Sequence, residues 1–179
     1  YAPKPFDAAC PVLLQIGSKP TKNLDRVARA LTGVPCHLRI IGKPTPAQKQ
    51  ILAKSGVRYS AASGISDEQM AAEYRACDAV ITASVHEGFG LPVIEGQATG
   101  RPVITGNTSA MPEVAGEGAR LVDPLSVESI REGITDVLQK ADYRSALIER
   151  GRENVTRFSP QRIAAQYVRL YERLLEESQ

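Results

Sequence analysis

Glu87 and Glu95 stand with seven residues between them, and those seven read Gly88-Phe89-Gly90-Leu91-Pro92-Val93-Ile94. Two glycines let backbone approach a ligand closely, and Pro92, with its preset φ and no N–H to waste, marks the first helical position. A loop feeding a helix N-terminus offers exposed amides and the positive end of the helix dipole, which suits a phosphate. With Pro92 opening the helix, Glu95 falls in its first turn, and because Cα–Cβ bonds tilt toward the N-terminus its carboxylate leans back toward Glu87. Carboxylates bordering an anion site are repelled unless hydroxyls are there to donate to them. The pattern therefore points to a ligand carrying both phosphate and sugar hydroxyls. Either glutamate alone reads plainly, Glu95 as a first-turn acid and Glu87 as a solvated loop charge. Joined through glycine and proline, the pair outweighs that reading.

A second cluster, Gly17-Ser18-Lys19-Pro20-Thr21-Lys22-Asn23, follows an apolar run. It lacks the Gly-Lys-Ser/Thr ending of a P-loop and the three glycines of a dinucleotide fingerprint, so neither an ATPase nor a dehydrogenase follows. Lys22 at a helix start meets the dipole with the wrong sign, a conflict that an anionic ligand would relieve. His37 and His86 are the only histidines; His37 reads as a strand residue and His86 as part of the site wall. Cys10, Cys36 and Cys77 make no C-x-x-C pair and no zinc spacing, so they read as buried small hydrophobes in a reducing compartment, with no metal expected.

The elements that must position these residues are written in the hydropathy pattern. Apolar runs at Val12 to Ile16, His37 to Ile41, Val57 to Ser60, Ala79 to Thr82, Pro102 to Thr105 and Arg120 to Val122 alternate with helical periodicity, the signature of βαβ units. Helices are expected at 24–31, at 46–55 opened by Pro46, at 66–76 with a Ser66/Gln69 capping box, at 91–99 and near 111–115. The remainder is helical, with stripes at Val127, Ile130, Ile134, Val137, Leu138 and at Ile163, Tyr167, Leu170, Tyr171, Leu174. The fold class is α/β: a Rossmann-like doubly wound parallel sheet of about six strands, helices on both faces and a helical C-terminal segment. Ligands of such sheets sit beyond the carboxyl ends of the strands.

The chain has 179 residues, 42% hydrophobic and 23% charged, with a net charge of +2, proportions that exclude a disordered tail or a coiled coil. Aromatics at 5% and no Trp leave few platforms for bases, and nucleic acid is not an expected partner. No apolar run has the length of a membrane span, so a soluble, cytoplasmic domain is expected. Tyr1-Ala2-Pro3-Lys4-Pro5 has the Pro-rich texture of an interdomain linker. Residues 1–10 are read as linker-like and 11–179 as one domain, a piece of something longer.

The stretch His86-Glu87-Gly88-Phe89-Gly90-Leu91-Pro92-Val93-Ile94-Glu95 resembles the E-x7-E signature of the group 1 retaining glycosyltransferases of the GT-B fold. The likeness continues through Gly100-Arg101-Pro102-Val103-Ile104, Met111-Pro112-Glu113-Val114-Ala115-Gly116 and Val122-Asp123-Pro124. It also takes in Ile65-Ser66-Asp67-Glu68, Tyr74-Arg75 and the opening strand, and so covers nearly all of the chain from about Pro11. The part resembled is the C-terminal half, which holds the nucleotide sugar.

The resemblance implies a role for each matched residue. Glu95 would accept from the ribose hydroxyls and Glu87 from hydroxyls of the donor sugar. The amides of Gly88, Phe89 and Gly90 would touch that sugar, and those of Leu91 and Val93 would face the diphosphate. Backbone near Ile65 would meet the base, and Lys22 would clamp the diphosphate beside Gly17. The family usually has Gly-Arg where Gly17-Ser18 stands; Ser18 departs from it, and neighbouring Lys19 is the available substitute cation. Glu113 resembles a recurrent glutamate of the family, though its helix position explains it equally well. Glu87 and Lys22 are the expected catalytic pair, in a retaining reaction without metal or cofactor.

The donor would be a nucleotide-diphosphate sugar of the GDP-mannose or UDP-hexose type and the acceptor a saccharide or lipid-linked saccharide. The acceptor-binding N-terminal domain is absent, so the chain alone is expected to bind donor and transfer little. Through the full-length enzyme, peripheral association with the inner face of the membrane is expected in a setting of polysaccharide assembly. Two other classes stay open: a solitary nucleotide-sugar-binding or regulatory module serving a partner chain, and half of a GT-B epimerase, whose acid/base carboxylates and histidine this half does not display.

Overall fold

The computed structural model describes residues 4–177; Tyr1, Ala2 and Pro3 of the expected linker, and residues 178–179, lie outside the described residues. Six parallel strands form one sheet in the order β3-β2-β1-β4-β5-β6, with β1 Val12–Ile16, β2 His37–Ile41, β3 Arg58–Ala62, β4 Ala79–Thr82, β5 Val103–Gly106 and β6 Ala119–Val122. Strand order reverses between β1 and β4, and that switch point brings together the loops that follow them. The helices are α1 Leu24–Ala30, α2 Pro46–Ser55, α3 Asp67–Ala76, α4 Leu91–Ala98, α5 Met111–Ala115, α6 Val127–Gln139, α7 Ala141–Val155 and α8 Pro160–Glu177.

Alternation along the strands divides the core. Leu13, Leu38, Ile40, Ile81 and Ile104 face Leu24 and Val27 of α1, Leu52 of α2 and Ile130, Ile134 and Val137 of α6. Leu14, Val80 and Val103 face Tyr74 of α3, Val93 of α4 and Met111 and Val114 of α5. The central strands β4 and β5 are buried throughout, as strands covered on both faces must be. The break that separates α6 from α7 falls at Lys140, and α7 packs against α4, α6 and β6.

Several boundaries differ from those read in the sequence. β3 lies at Arg58–Ala62 rather than 57–60, because pairing with β2 sets its register and an edge strand needs no continuous apolar run. β6 begins at Ala119. The capping box at Ser66/Gln69 is present, and an equivalent one at Thr45/Gln48 opens α2. Cys36 and Cys77 are buried, and burial pushes their thiols up to about 11 and about 12. Cys10 is only half-buried, since it precedes β1 in a bend outside the core.

Among the described residues the N-terminal segment has no helix or strand before β1, yet it is strapped to the sheet through buried Asp78. That carboxylate accepts from Lys4 Nζ at 2.7 Å, the Asp7 amide at 3.1 Å and the Val12 amide at 2.8 Å. At the other end α8 buries none of its residues, and the stripe of Tyr167, Leu170, Tyr171 and Leu174 is 36–59% exposed rather than packed on the sheet. Among the described residues no helix is long and apolar enough to cross a membrane.

Candidate functional site

The loops after β1 and β4 meet at the carboxyl edge of the sheet, and one buried side chain ties them. Asn23 adopts a left-handed backbone (φ 59) at the head of α1, and its Nδ2 donates to the Ala83 carbonyl at 2.8 Å and the Pro124 carbonyl at 2.6 Å. The Val85 amide donates to the Thr21 carbonyl at 2.9 Å, closing the same junction from the other side. Asn23→Ala leaves two buried carbonyls without their donor and is expected to cost about 1–3 kcal/mol of stability. Asn23→Asp, which sets a carboxylate against those carbonyls, costs more; urea unfolding of the two variants checks the order.

Lys22 ends a short 3-10 turn, Pro20–Lys22, ahead of α1. Its stem lies across Gly17, where φ is +91 and an added Cβ would stand 2.7 Å from Lys22 Cγ. The ammonium reaches Glu87 Oε1 at 2.5 Å, and Ser84 Oγ donates to the same oxygen at 2.7 Å. Ser84 is 1% exposed, so it supports Glu87 from inside the protein. The dipole conflict at Lys22 is thus met within the chain by Glu87, an answer the sequence reading had assigned to a ligand.

Between Thr82 and Leu91 the backbone follows no regular pattern. Helix α4 begins at Leu91 with Gly90 as its cap, so Pro92 is the second helical residue and Glu95 the fifth, beyond the first turn in which the sequence pattern put it. The cause is Gly90: its φ is +95 and its missing Cβ leaves room for fully buried Met111. Glu95 is exposed on α4, where its Oε2 accepts from the Tyr74 hydroxyl at 2.5 Å. Phe89 is 46% exposed and packs T-shaped with Phe158, ring centroids 5.9 Å apart, while Gly88 has open space where a Cβ would stand.

Other residues named from the sequence lie around this mouth with different degrees of freedom. The Val93 amide already donates to the Gly90 carbonyl at 2.9 Å, and its side chain is core. Leu91 is exposed at the helix head. Ser18 Oγ donates to the Lys43 carbonyl at 3.0 Å, and the Ser18 carbonyl accepts from Gln48 at 2.9 Å, so this serine ties the loop after β1 to the loop after β2 and to α2. Lys19 is exposed at the start of the 3-10 turn. Ile65 follows the left-handed Gly64 and precedes the Ser66 cap, at the far end of α3 from Tyr74. His86 is exposed, its Nδ1 3.3 Å from Ser109 Oγ.

The structure therefore joins Lys22 to Glu87 directly, holds Glu95 through a separate element, and leaves Ser18 and Lys19 out of the ion pair. The sequence reading assigned no separate role to Ser84, Asn23 or Tyr74, although Asn23 stands just before an apolar-periodic helix and Tyr74 lies in the family likeness.

Six parallel strands in this order, with helices on both faces, define a Rossmann-like doubly wound domain. The structure of sucrose-phosphate synthase from Thermosynechococcus elongatus shares the fold with a TM-score of 0.80 at 24% identity, over 96% of this chain and 47% of that one. The C-terminal domain of a glycosyl transferase group 1 family protein from Francisella tularensis matches with a TM-score of 0.70 at 24% identity, over 81% of this chain and 83% of that domain.

The profile of the family described as "Glycosyl transferases group 1" matches residues 6–154, and the chain belongs to that family. The MMP alpha-(1->4)-mannosyltransferase of Mycolicibacterium hassiacum is 32% identical over 160 residues, 85% of this chain and 39% of that protein. The O-antigen chain mannosyltransferase B of Escherichia coli is 32% identical over 110 residues, 62% of this chain and 29% of that protein. The chain thus spans well under half the length of these relatives.

Proposed function

We propose that residues 11–179 bind the nucleotide-diphosphate sugar of a retaining hexosyltransferase, with residues 1–10 leading from the half that holds a saccharide or lipid-linked acceptor. The observation that carries this reading is the ion pair of Lys22 with Glu87 at 2.5 Å, one loop ahead of a helix that presents Glu95. A cation and two carboxylates around exposed backbone match a ligand with a diphosphate between two sets of hydroxyls. The names of the relatives favour a mannose-type donor, and GDP-mannose and UDP-hexoses are the first to test.

In such a transfer the bond from the anomeric carbon to the β-phosphate oxygen breaks, with positive charge growing on the sugar ring and negative charge on the departing diphosphate. Lys22 and the Leu91 amide at the head of α4 hold the diphosphate, and Glu87, released by Lys22, accepts from the sugar hydroxyls and lends negative potential to the cationic ring. The leaving phosphate accepts the acceptor's proton on the same face, so the reading requires neither a metal nor a separate nucleophile.

Melting temperatures of the chain with GDP, UDP, ADP and their sugars test the proposal. Ligand at a hundred times its dissociation constant adds about 2.7 kcal/mol, a shift of several degrees. No response to any of them at millimolar concentration would end it. Glu95→Ala is expected to weaken the best nucleotide roughly tenfold, the worth of one hydrogen bond to a charged acceptor, with inorganic pyrophosphate unaffected; calorimetric titration reads both.

A further inference from the structure

Tyr74 sits near the C-terminal end of α3, 3% exposed, with its ring in the core beside Leu14, Val80 and Val93. A buried tyrosine hydroxyl normally finds a partner inside the protein. Here it finds an exposed carboxylate on the neighbouring helix, Glu95 Oε2, at 2.5 Å. The phenol is held far above its ordinary pKa by burial first and by Glu95 second, so it stays a donor at every working pH.

The base from which this hydroxyl is presented is itself fixed. The Tyr74 carbonyl accepts from Arg101 Nε at 3.0 Å, and the same guanidinium donates to the Arg75 carbonyl and to the Lys4 carbonyl. Arg101 is 4% exposed and lies at the head of β5, so α3 is fastened at its C-terminal end to the strand next to β4. Ring packing and backbone clamp together leave the hydroxyl little freedom to follow Glu95.

A glutamate on the open side of a helix samples several rotamers, and each one it must abandon on binding weakens the complex. Holding one carboxylate oxygen from a rigid ring fixes where the other oxygen lies. We propose that Tyr74 is a positioning residue for nucleotide binding, which sets the Glu95 carboxylate in place to accept from ligand hydroxyls. This rests on the reading of Glu95 given above and adds a second residue, on a different helix, that the E-x7-E stretch does not contain.

The test uses the chain with Tyr74→Phe, Glu95→Ala and the double variant, titrated calorimetrically with GDP, UDP and inorganic pyrophosphate, with circular dichroism to compare folding. Tyr74→Phe keeps the ring and removes only the hydroxyl. It is expected to weaken the better of the two nucleotides about fivefold, the size of one hydrogen bond, to leave pyrophosphate unchanged, and to add nothing in the Glu95→Ala background. A merely structural tyrosine would lower thermal stability and shift all three ligands alike, in either background. The proposal is overturned if Glu95→Ala weakens the nucleotide while Tyr74→Phe does not, or if the two losses add. Should Glu95→Ala itself leave nucleotide affinity intact, the reading of Glu95 fails first and the role of Tyr74 goes with it.

Discussion

On the proposed function, Lys22→Ala in the longer protein is expected to slow glycosyl transfer about 10²–10³-fold, the loss seen when one fixed donor to a developing oxyanion is removed. The side chain arrives already aimed. Its stem lies across Gly17, its carbonyl accepts from Gln15 Nε2 at 3.1 Å, and its ammonium is parked on Glu87. With the stem fixed in advance, only the ammonium has to swing from Glu87 as charge grows on the leaving diphosphate, so its worth is larger in the transition state than in the bound substrate. Affinity for bare GDP or UDP should therefore fall less than kcat. The companion variant Glu87→Gln frees the ammonium from its carboxylate, so bare nucleoside diphosphate binds more tightly while the nucleotide sugar, having lost an acceptor for its hydroxyls, does not gain. Steady-state kinetics with calorimetry on both variants reads the two signs. An unchanged kcat in Lys22→Ala would remove this residue from the reaction.

Gly90→Ala is expected to lower stability by about 2–5 kcal/mol, combining roughly 1–2 for a side chain in left-handed backbone with roughly 1–3 for overpacking. The φ of +95 is strained for any residue with a Cβ, and the added methyl would stand 2.3 Å from Met111 Cε and 2.9 Å from its sulfur. A methionine tip on the surface would swing aside. Met111 is fully buried among the residues of α4, α5 and the sheet, so its movement disturbs the packing under the whole glutamate loop. Gly88→Ala, two residues earlier and facing open space, is the control and is expected to be near neutral. Guanidinium unfolding of the pair separates them. Equal stability of the two would mean that the helix head tolerates a different backbone.

Much of this architecture was legible because local signals agreed with the global fold. Val80, Ile81 and Ile104 lie in runs apolar enough to be central strands, Ser66 and Gln69 spell out their own capping box, and Glu87 and Glu95 are set apart by glycine and proline. What escaped was decided by residues far apart in the chain. Gly90 caps α4 in left-handed backbone directly over Met111, and no window around Pro92 contains that contact. Glu87 is singled out by its glycine and proline spacing, but its ion pair with Lys22, 65 positions away, is not. Tyr74 enters the sequence reading only as part of the likeness at Tyr74-Arg75, and its bond to Glu95 emerges once α3 is laid beside α4. Ser18 donates its hydroxyl to the Lys43 carbonyl while its own carbonyl accepts from Gln48, contacts with residues 25 and 30 positions away that the cluster around it does not contain.

Helix α8 contributes no side chain to either half of the core. Peeling it away uncovers almost nothing that the sheet had hidden, so the free energy holding it in place is little more than its own helical turns supply. Its amide protons are expected to trade for deuterium long before those of β1 or β4. A denaturation curve, which weighs surface newly wetted, would scarcely notice its departure.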